Sequence, residues 1–438
     1  MSYSVVWFKR DLRLHDHAAL HQALACSPVL CLYIIEPALW AQPDASAQHY
    51  AFIKESLRDL AGELKQRGGR LHVRCGDAVA VLNELFELAP FASLHAHEET
   101  GNAATYARDR AVGQWCRQRQ VRWAELPQFG VVRRLANRDH WLRHWEAHMG
   151  APSHDLPEVN ASHFQPAPWA QQALPHAAAL GLDVWVPPQR QCGGRQLGKA
   201  VLQDFLYNRC RDYRGGISSP LSAPTACSRL SAHLAYGTLS VREVVQATRA
   251  QMSRVNASNG FAAKGLAAFL SRLHWHCHFI QKLESEPELE WRNVHRGYDG
   301  LREPDWNPAH FEALTQGRTG WPMVDACVAM LHETGTWLFE PWRMPESVQM
   351  ACGVRVSADA PAGAPDAWPM PVVDLAVATR AAKDRLHSLR SDPQVRAGKA
   401  AIVEKHASRK TSGAGPQSAR TSRQASRAAT TQLSLGFE

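Results

Sequence analysis

Gln316-Gly-Arg-Thr-Gly-Trp-Pro-Met-Val-Asp325 is the stretch around which the chain reads, together with the run FLSRLHWHCHFIQKLE at 269–284. Gly317 and Gly320 supply backbone freedom for a tight turn, Pro322 suits a first helical turn, and 323–331 continues with helical spacing. Arg318 is thereby expected at a helix entrance, where free N–H groups, the positive end of the helix dipole and a guanidinium together favour an anionic ligand. Taken alone, the same residues also fit a surface turn with an incidental arginine.

Working outward, 438 residues with 45% hydrophobic content can bury a large core and imply more than one domain. No apolar run is long enough to span a bilayer, and the start lacks a signal peptide's basic-then-apolar layout. Ten scattered cysteines without a paired framework fit a reducing compartment, so a cytoplasmic protein without a membrane partner is expected, and a monomer. The net charge of +8 and pI near 9.0 favour a polyanionic partner. Part of that excess is concentrated from Lys405 onward, where Lys405, Arg409, Lys410, Arg420, Arg423 and Arg427 face only Glu438.

Before the central stretch, β-rich runs at 3–8, 29–35, 70–74, 92–97 and 121–126 alternate with helical patterns at 49–67, 79–88 and 103–119. This alternation predicts an α/β domain with a doubly wound parallel sheet over 1–130. Neither GxGxxG after the first strand nor GxxxxGK is present, which argues against a nicotinamide dinucleotide or P-loop site. Residues 131–196, rich in Pro, Ala, His and Trp, read as an interdomain linker over the surface. Helical patterns at 198–211, 241–252, 261–284 and 322–333 predict an all-α C-terminal domain over 197–338. A remnant over 339–394 ends in a helix at about 373–389, and 395–438 reads as a basic disordered tail.

Three further stretches carry a resemblance. Gly317-Arg-Thr-Gly-Trp-Pro-Met-Val-Asp-Ala326 resembles the GxTGyPxVDA signature of the DNA photolyase and cryptochrome family. Val6-Trp-Phe-Lys-Arg-Asp-Leu-Arg-Leu-His-Asp16 is similar to its first strand and turn, and Cys227-Ser-Arg-Leu-Ser231 with 234–240 (LAYGTLS) resembles its phosphate-binding segment. The resemblance implies FAD as cofactor, with a second antenna chromophore, a folate or a deazaflavin, in the α/β domain. It implies deoxyribodipyrimidine photolyase-type carbon–carbon lyase activity: blue-light-driven repair of DNA containing pyrimidine photoproducts. The alternative is a non-catalytic cryptochrome-like flavoprotein photoreceptor or a DNA-binding remnant.

On this resemblance Tyr213, Ser228, Arg229, Leu230, Ser231 and Arg318 would bind the cofactor, and Trp275 would stack on the flipped-out lesion. Trp306 matches the outer member of the family's electron-hopping tryptophan chain. Read without the family, Ser231 is an N-cap and Trp275 a core residue. Two positions depart from the pattern: Cys227 stands where the family often has threonine, and Arg272 where many enzymes that split cyclobutane dimers carry an acid. His274 and His278, at i and i+4, could hold one face of a metal ion, but no third ligand follows at a characteristic spacing.

After Gly335 the family's Gly-Trp-x-x-Asn-Arg segment and the residues that wrap the flavin ring do not follow. Thr336-Trp-Leu-Phe-Glu-Pro-Trp-Arg-Met-Pro345 resembles what lies beyond them, and Pro369-Met-Pro-Val-Val-Asp374 the family's closing PxPIVD. An internal deletion, hence a truncated FAD domain, is the expectation. At the tail's end, Gln432, Leu433, Leu435 and Phe437 resemble the short peptide with which bacterial repair polymerases dock on the sliding clamp.

Overall fold

The computed structural model describes residues 2–217, 222–255, 260–335 and 372–406. Five strands, β1 Ser4–Phe8, β2 Val29–Ile35, β3 Leu71–Cys75, β4 Ser93–His97 and β5 Arg122–Leu126, pair in parallel in the order β3-β2-β1-β4-β5. They match the expected runs to within a residue at each end. Strand alternation sends Val6, Phe8, Cys31, Tyr33 and Ile35 to one face and Val5, Trp7, Leu30, Leu32 and Ile34 to the other. Helices α1 (Ala18–Leu24) and α2 (Ala47–Gln66) cover the first face; α3 (Ala78–Leu88) and α4 (Ala103–Arg119) cover the second. With both faces covered, β1, β2 and β4 are buried along their whole length. Asp77 and Asn102 cap α3 and α4 by accepting from Ala80 N and Thr105 N.

The rest of the described chain is helical: α5 Trp141–Gly150, α6 Arg195–Asp204, α7 Cys210–Gly216, α8 Val241–Arg254, α9 Gly260–Ser285, α10 Pro308–Thr315, α11 Pro322–Thr334, α12 Leu375–Ser391 and α13 Pro393–His406. Its core centres on α9, whose Ala262, Leu266, Phe269, Leu273 and Cys277 pack against α7 and α8. Gly265 permits the closest approach, since a Cβ there would sit 1.7 Å from the Cys210 carbonyl oxygen. Among the described residues no helix is long and apolar enough to cross a membrane.

Three sequence expectations need correction. The 131–196 linker is not purely a surface connection: α5 buries Trp141, Trp145 and Met149, spaced i, i+4, i+8, in the helical core. The tail does not begin at 395, because α13 runs to His406 with Pro393 in its first turn, held by Val395 O to His295 and by His406 to Glu286 at 2.7 Å. The helix read over 198–211 is broken into α6, a widened five-residue turn at Phe205–Arg209, and α7. The segment after Gly335 and the 407–438 tail, with its clamp-like peptide, lie outside the described residues.

The α/β and helical parts meet through Asp16, a residue at φ 49° whose carboxylate is buried. It accepts from Ser240 Oγ at 2.5 Å, Arg242 Nη1 at 2.9 Å and His154 N at 3.1 Å. Burial pushes its carboxyl up, but Ser240, Arg13 and Arg242 outweigh burial and hold it below the ordinary carboxylate range. A carboxyl lowered on folding stabilises above its unfolded pKa, and that stability is lost as pH falls through the folded value. Asp16→Asn should therefore lose stability at neutral pH, with the gap to wild type closing below about pH 4. Urea unfolding across that range checks it.

Candidate functional site

The 316–325 stretch closes on itself. Asp325, at the start of α11 and 2% exposed, accepts from Thr319 N at 2.7 Å, Thr319 Oγ1 at 2.6 Å and Gly320 N at 3.0 Å. Gly317 and Gly320 take φ of 64° and 74°, in the left-handed region the turn requires. Trp321, not a hydroxyl residue, is the N-cap. Arg318 is exposed and its guanidinium bonds to Gln316 on the same turn. The aspartate lock was present in the sequence as D at T+6, but only the fold shows that it ties the turn. From this helix Met330 reaches back to pack on Ala223, with Cys227 beside it, so the turn-and-helix unit adjoins the 227–231 segment.

That segment is built as a cationic cradle. Ser228 and Arg229 are half-buried, and Arg229 adopts φ 60°, a strained conformation for a residue with a Cβ. Arg209, from the widened turn before α7, donates to the Cys227 and Ser228 carbonyls. Burial pushes the Arg229 guanidinium below its ordinary range; Cys227 opposes the shift, Arg209 adds to it, and no carboxylate contributes. Leu230 is buried and occupies the N-cap position of the short helix Ser231–Ala235; Ser231, read from sequence as the cap, is exposed at its first turn. Leu230 already has helical dihedrals, so Ser231 falls inside the helix and not at its cap. Tyr213 is buried between Phe205 and Phe269, ring centroids 5.4 and 5.7 Å away, and its hydroxyl meets Arg272.

Arg272 lies on the outer side of α9 with its guanidinium 4.1 Å over the ring of Trp275, which is 41% exposed. Trp275 thus stands outside the core. Trp306 is 63% exposed and packs on Phe311 of α10 at 5.0 Å. His274 packs against Trp141 and Trp145, and His278 Nδ1 faces Arg138 Nη2 at 2.6 Å.

Two features of the α/β domain were not found from sequence. A cavity of about 120 Å³ opens at the carboxyl ends of the strands, lined among others by Trp7, Tyr33, Glu36, Trp40, Arg108 and Tyr236. Burial pushes the Glu36 carboxyl up to about 7, although Arg108 Nη1 donates to it at 2.7 Å. The second is Asp11, His17 and His97, buried with their ligand atoms within 4.8 Å of one another. Their hydrogen bonds argue against a metal. His17 Nδ1 accepts from Leu20 N, which puts its proton on Nε2, facing Asp11 Oδ2 at 3.1 Å, while His97 Nδ1 lies 2.6 Å from the same oxygen.

The family model "DNA photolyase" matches residues 4–132 and "FAD binding domain of DNA photolyase" matches 269–339. The chain belongs to the DNA photolyase and cryptochrome family. It is 28% identical to the deoxyribodipyrimidine photo-lyase of Streptomyces griseus over 78% of this chain and 73% of that protein. It is 25% identical to Cryptochrome-1 of Anopheles gambiae, over 76% and 68%. In fold it is similar to a class III photolyase from Agrobacterium tumefaciens, with TM-score 0.66, 20% identity and coverage of 90% of this chain and 98% of that one. A photolyase from Sulfolobus tokodaii with two FAD molecules gives TM-score 0.65 at 21% identity, covering 88% and 99%.

The residues present fit the diphosphate of FAD. Half-buried Arg229 has no carboxylate partner among the described residues, which is the donor chemistry a diphosphate needs, while Arg209, ion-paired with Asp204, braces the Cys227 and Ser228 carbonyls beside it. Asp325→Ala should unlock the neighbouring turn and cost roughly 2–3 kcal/mol through the stranded Thr319 and Gly320 donors. Thermal denaturation reads that loss, and an unchanged melting temperature would show that solvent replaces the carboxylate.

Proposed function

We propose that this protein is a light-driven DNA-repair lyase of the photolyase type, using FAD to reverse pyrimidine photoproducts. The observation that carries the reading is α9: its residues from 269 onward fall in the stretch matched to the family's FAD-binding domain, and there Arg272 meets the Tyr213 hydroxyl while covering the exposed Trp275. Bound and reduced, FAD would supply the light-driven electron chemistry that reversal of a photoproduct needs. The chain's own residues do the rest. Tyr213, Ser228 and Arg229 would hold the diphosphate, with Leu230, Ser231 and Arg318 at its margins. Trp275 would give a flipped-out base the stacking it loses on leaving the duplex. Trp306, at the surface, would pass electrons inward. The cavity beside Trp7 and Tyr236 would take the antenna chromophore, folate or deazaflavin. Free cysteines, nine of which are described, support a cytoplasmic, reducing setting.

Two residue-level observations favour a second reading, a cryptochrome-like photoreceptor or DNA-binding remnant. Arg272 replaces an acid, and Gly335 passes to Thr336 without the family's ring-wrapping segment. The domain limits at 131–196, 197–338 and 339–394 are part of the same proposal, with the tail now starting after α13. On this basis FAD occupancy of the purified protein should be substoichiometric and repair slow. An absorbance spectrum and a blue-light repair assay on dimer-containing DNA separate the readings; stoichiometric flavin with repair would remove the deletion argument. Trp275→Ala should weaken damaged-DNA binding by about 1–3 kcal/mol with little change in stability. A variant that unfolds instead, with unchanged binding per folded molecule, would return Trp275 to the core.

The partner at the tail is proposed as the bacterial sliding clamp. Leu433, Leu435 and Phe437 offer apolar anchors and Gln432 a polar hook, behind a basic run that would keep the tail near DNA. A labelled 431–438 peptide should bind the clamp at about tens of micromolar or tighter. The doubly substituted Gln432→Ala, Phe437→Ala peptide should not bind, and equal binding of both would end the idea.

A further inference from the structure

Where α5 packs on α9, a cation is buried that no acid among the described residues neutralises. Arg138, just ahead of α5, is 2% exposed. Its Nη2 donates to His278 Nδ1 at 2.6 Å and its guanidinium lies over the Trp141 ring at 4.8 Å, while Nε and Nη1 are buried without a partner. An arginine can only donate, so His278 accepts at Nδ1 and carries its proton on Nε2. The indole covers a face of the guanidinium, but it makes no hydrogen bond to the free N–H groups on the edge. Two charged donors are thus taken out of water with nothing put in its place, which is costly.

The surroundings add basic groups rather than acids. His274, His278 and Lys282 follow one another at i, i+4 and i+8 on the flank of α9 turned to α5. His274 packs 4.9 Å from Trp141 and 5.0 Å from Trp145, and its Nε2 is also buried without a partner. Burial pushes the Arg138 guanidinium below its ordinary range, and no charged neighbour offsets it. Burial and then Arg138 push Lys282 down, and burial, Arg138 and Lys282 push His278 down to about 4. Acids in the neighbourhood serve other cations: Glu146, which pulls His274 upward, pairs with Arg249 at 2.6 Å, and Glu284 pairs with Arg133 at 2.7 Å.

The chemistry of these groups selects the ligand. A metal ion is the wrong one, because Arg138 stays protonated and repels it. A water would bridge the donors and leave the charge uncompensated. A small oxyanion does both, since its several acceptor oxygens can take guanidinium and imidazole N–H groups together while its charge offsets Arg138 and Lys282. We infer that the α5–α9 junction holds an inorganic oxyanion of the phosphate class, bound by Arg138 and His274 with Lys282 beside them. It is a counter-ion within the helical half, lodged beside Trp141 and Trp145, and it calls for no flavin, no light and no nucleic acid. The inference rests on neither the repair nor the photoreceptor reading.

Thermal melting of the full chain at neutral pH, in potassium phosphate against potassium chloride of equal ionic strength, tests it. A phosphate concentration about a hundred-fold above the dissociation constant should raise the melting temperature by about 3 °C, with sulfate acting in the same way. Arg138→Met, which keeps the bulk and removes the charge, should melt at or above the parent in chloride and lose the response to phosphate. Arg229→Met, which alters the 227–231 cradle instead, should keep the response. Lys282→Met, at a half-buried position, should raise the half-saturating phosphate about five-fold. A parent indifferent to phosphate would overturn the site and leave water at Arg138. So would a full response in Arg138→Met, or one lost in Arg229→Met, which would move the phosphate to the cradle. Should Arg138→Met fail to fold, an unchanged half-saturation in Lys282→Met overturns the site by itself. Protection by an oligonucleotide where free phosphate is inert would also end it.

Discussion

One buried carboxylate joins the two halves of this protein. Asp16 leaves the α/β domain just after the first strand and meets Ser240 and Arg242 at the start of α8, while Arg13 spans to the Gly237 carbonyl at 2.9 Å. Gly237 has no Cβ because one there would lie 2.1 Å from the Arg10 carbonyl oxygen. Removing a charge from such a place strands its partners, which is why buried pairs fix geometry more than they add stability. Once this seam is set, Tyr236 of the helical part becomes a wall of the cavity at the strand ends. The cavity of one domain is therefore completed by the other.

The second organising element is α9, which has two unlike faces. Its inner face supplies the helical core, and tight contact at Gly265 brings Tyr213 and Phe269 together. Its outer face holds Arg272 over Trp275 in the open. Inner packing fixes the rotation of the helix, and that rotation decides which side chains face outward. The 227–231 cradle depends on the same packing, because Arg209 reaches the 227–228 carbonyls from the widened turn that precedes α7.

Charge is distributed with purpose in each half. In the α/β domain every buried cation near the cavity has an acid: Lys9 meets Asp109 at 2.5 Å and Arg108 meets Glu36, Glu99 and Asp109. In the helical half, Arg229 and Arg138 lack such partners among the described residues. Desolvated guanidinium groups without acids are costly, and they point to anions that arrive from outside the chain.

The strands, the main helices and the α/β-then-helical order were determined by the sequence, because period-two and period-3.6 patterns are local and the flanking Asp77, Asn102 and Ser240 caps are local too. The motif at 317–326 likewise carried the family. What only the tertiary structure decided depended on residues far apart in the chain. Trp141, Trp145 and Met149 had helical spacing, but Pro- and His-rich surroundings masked it until the core claimed them. Helix α13 has little amphipathic character and is held by contacts to His295 and Glu286, 100 and 120 positions earlier. The cavity joins Trp7 to Tyr236, and the uncompensated charge of Arg138 appears only when α5 lies beside α9. Sequence patterns report which side chains need burial; which partners they find there is set by packing across the whole chain.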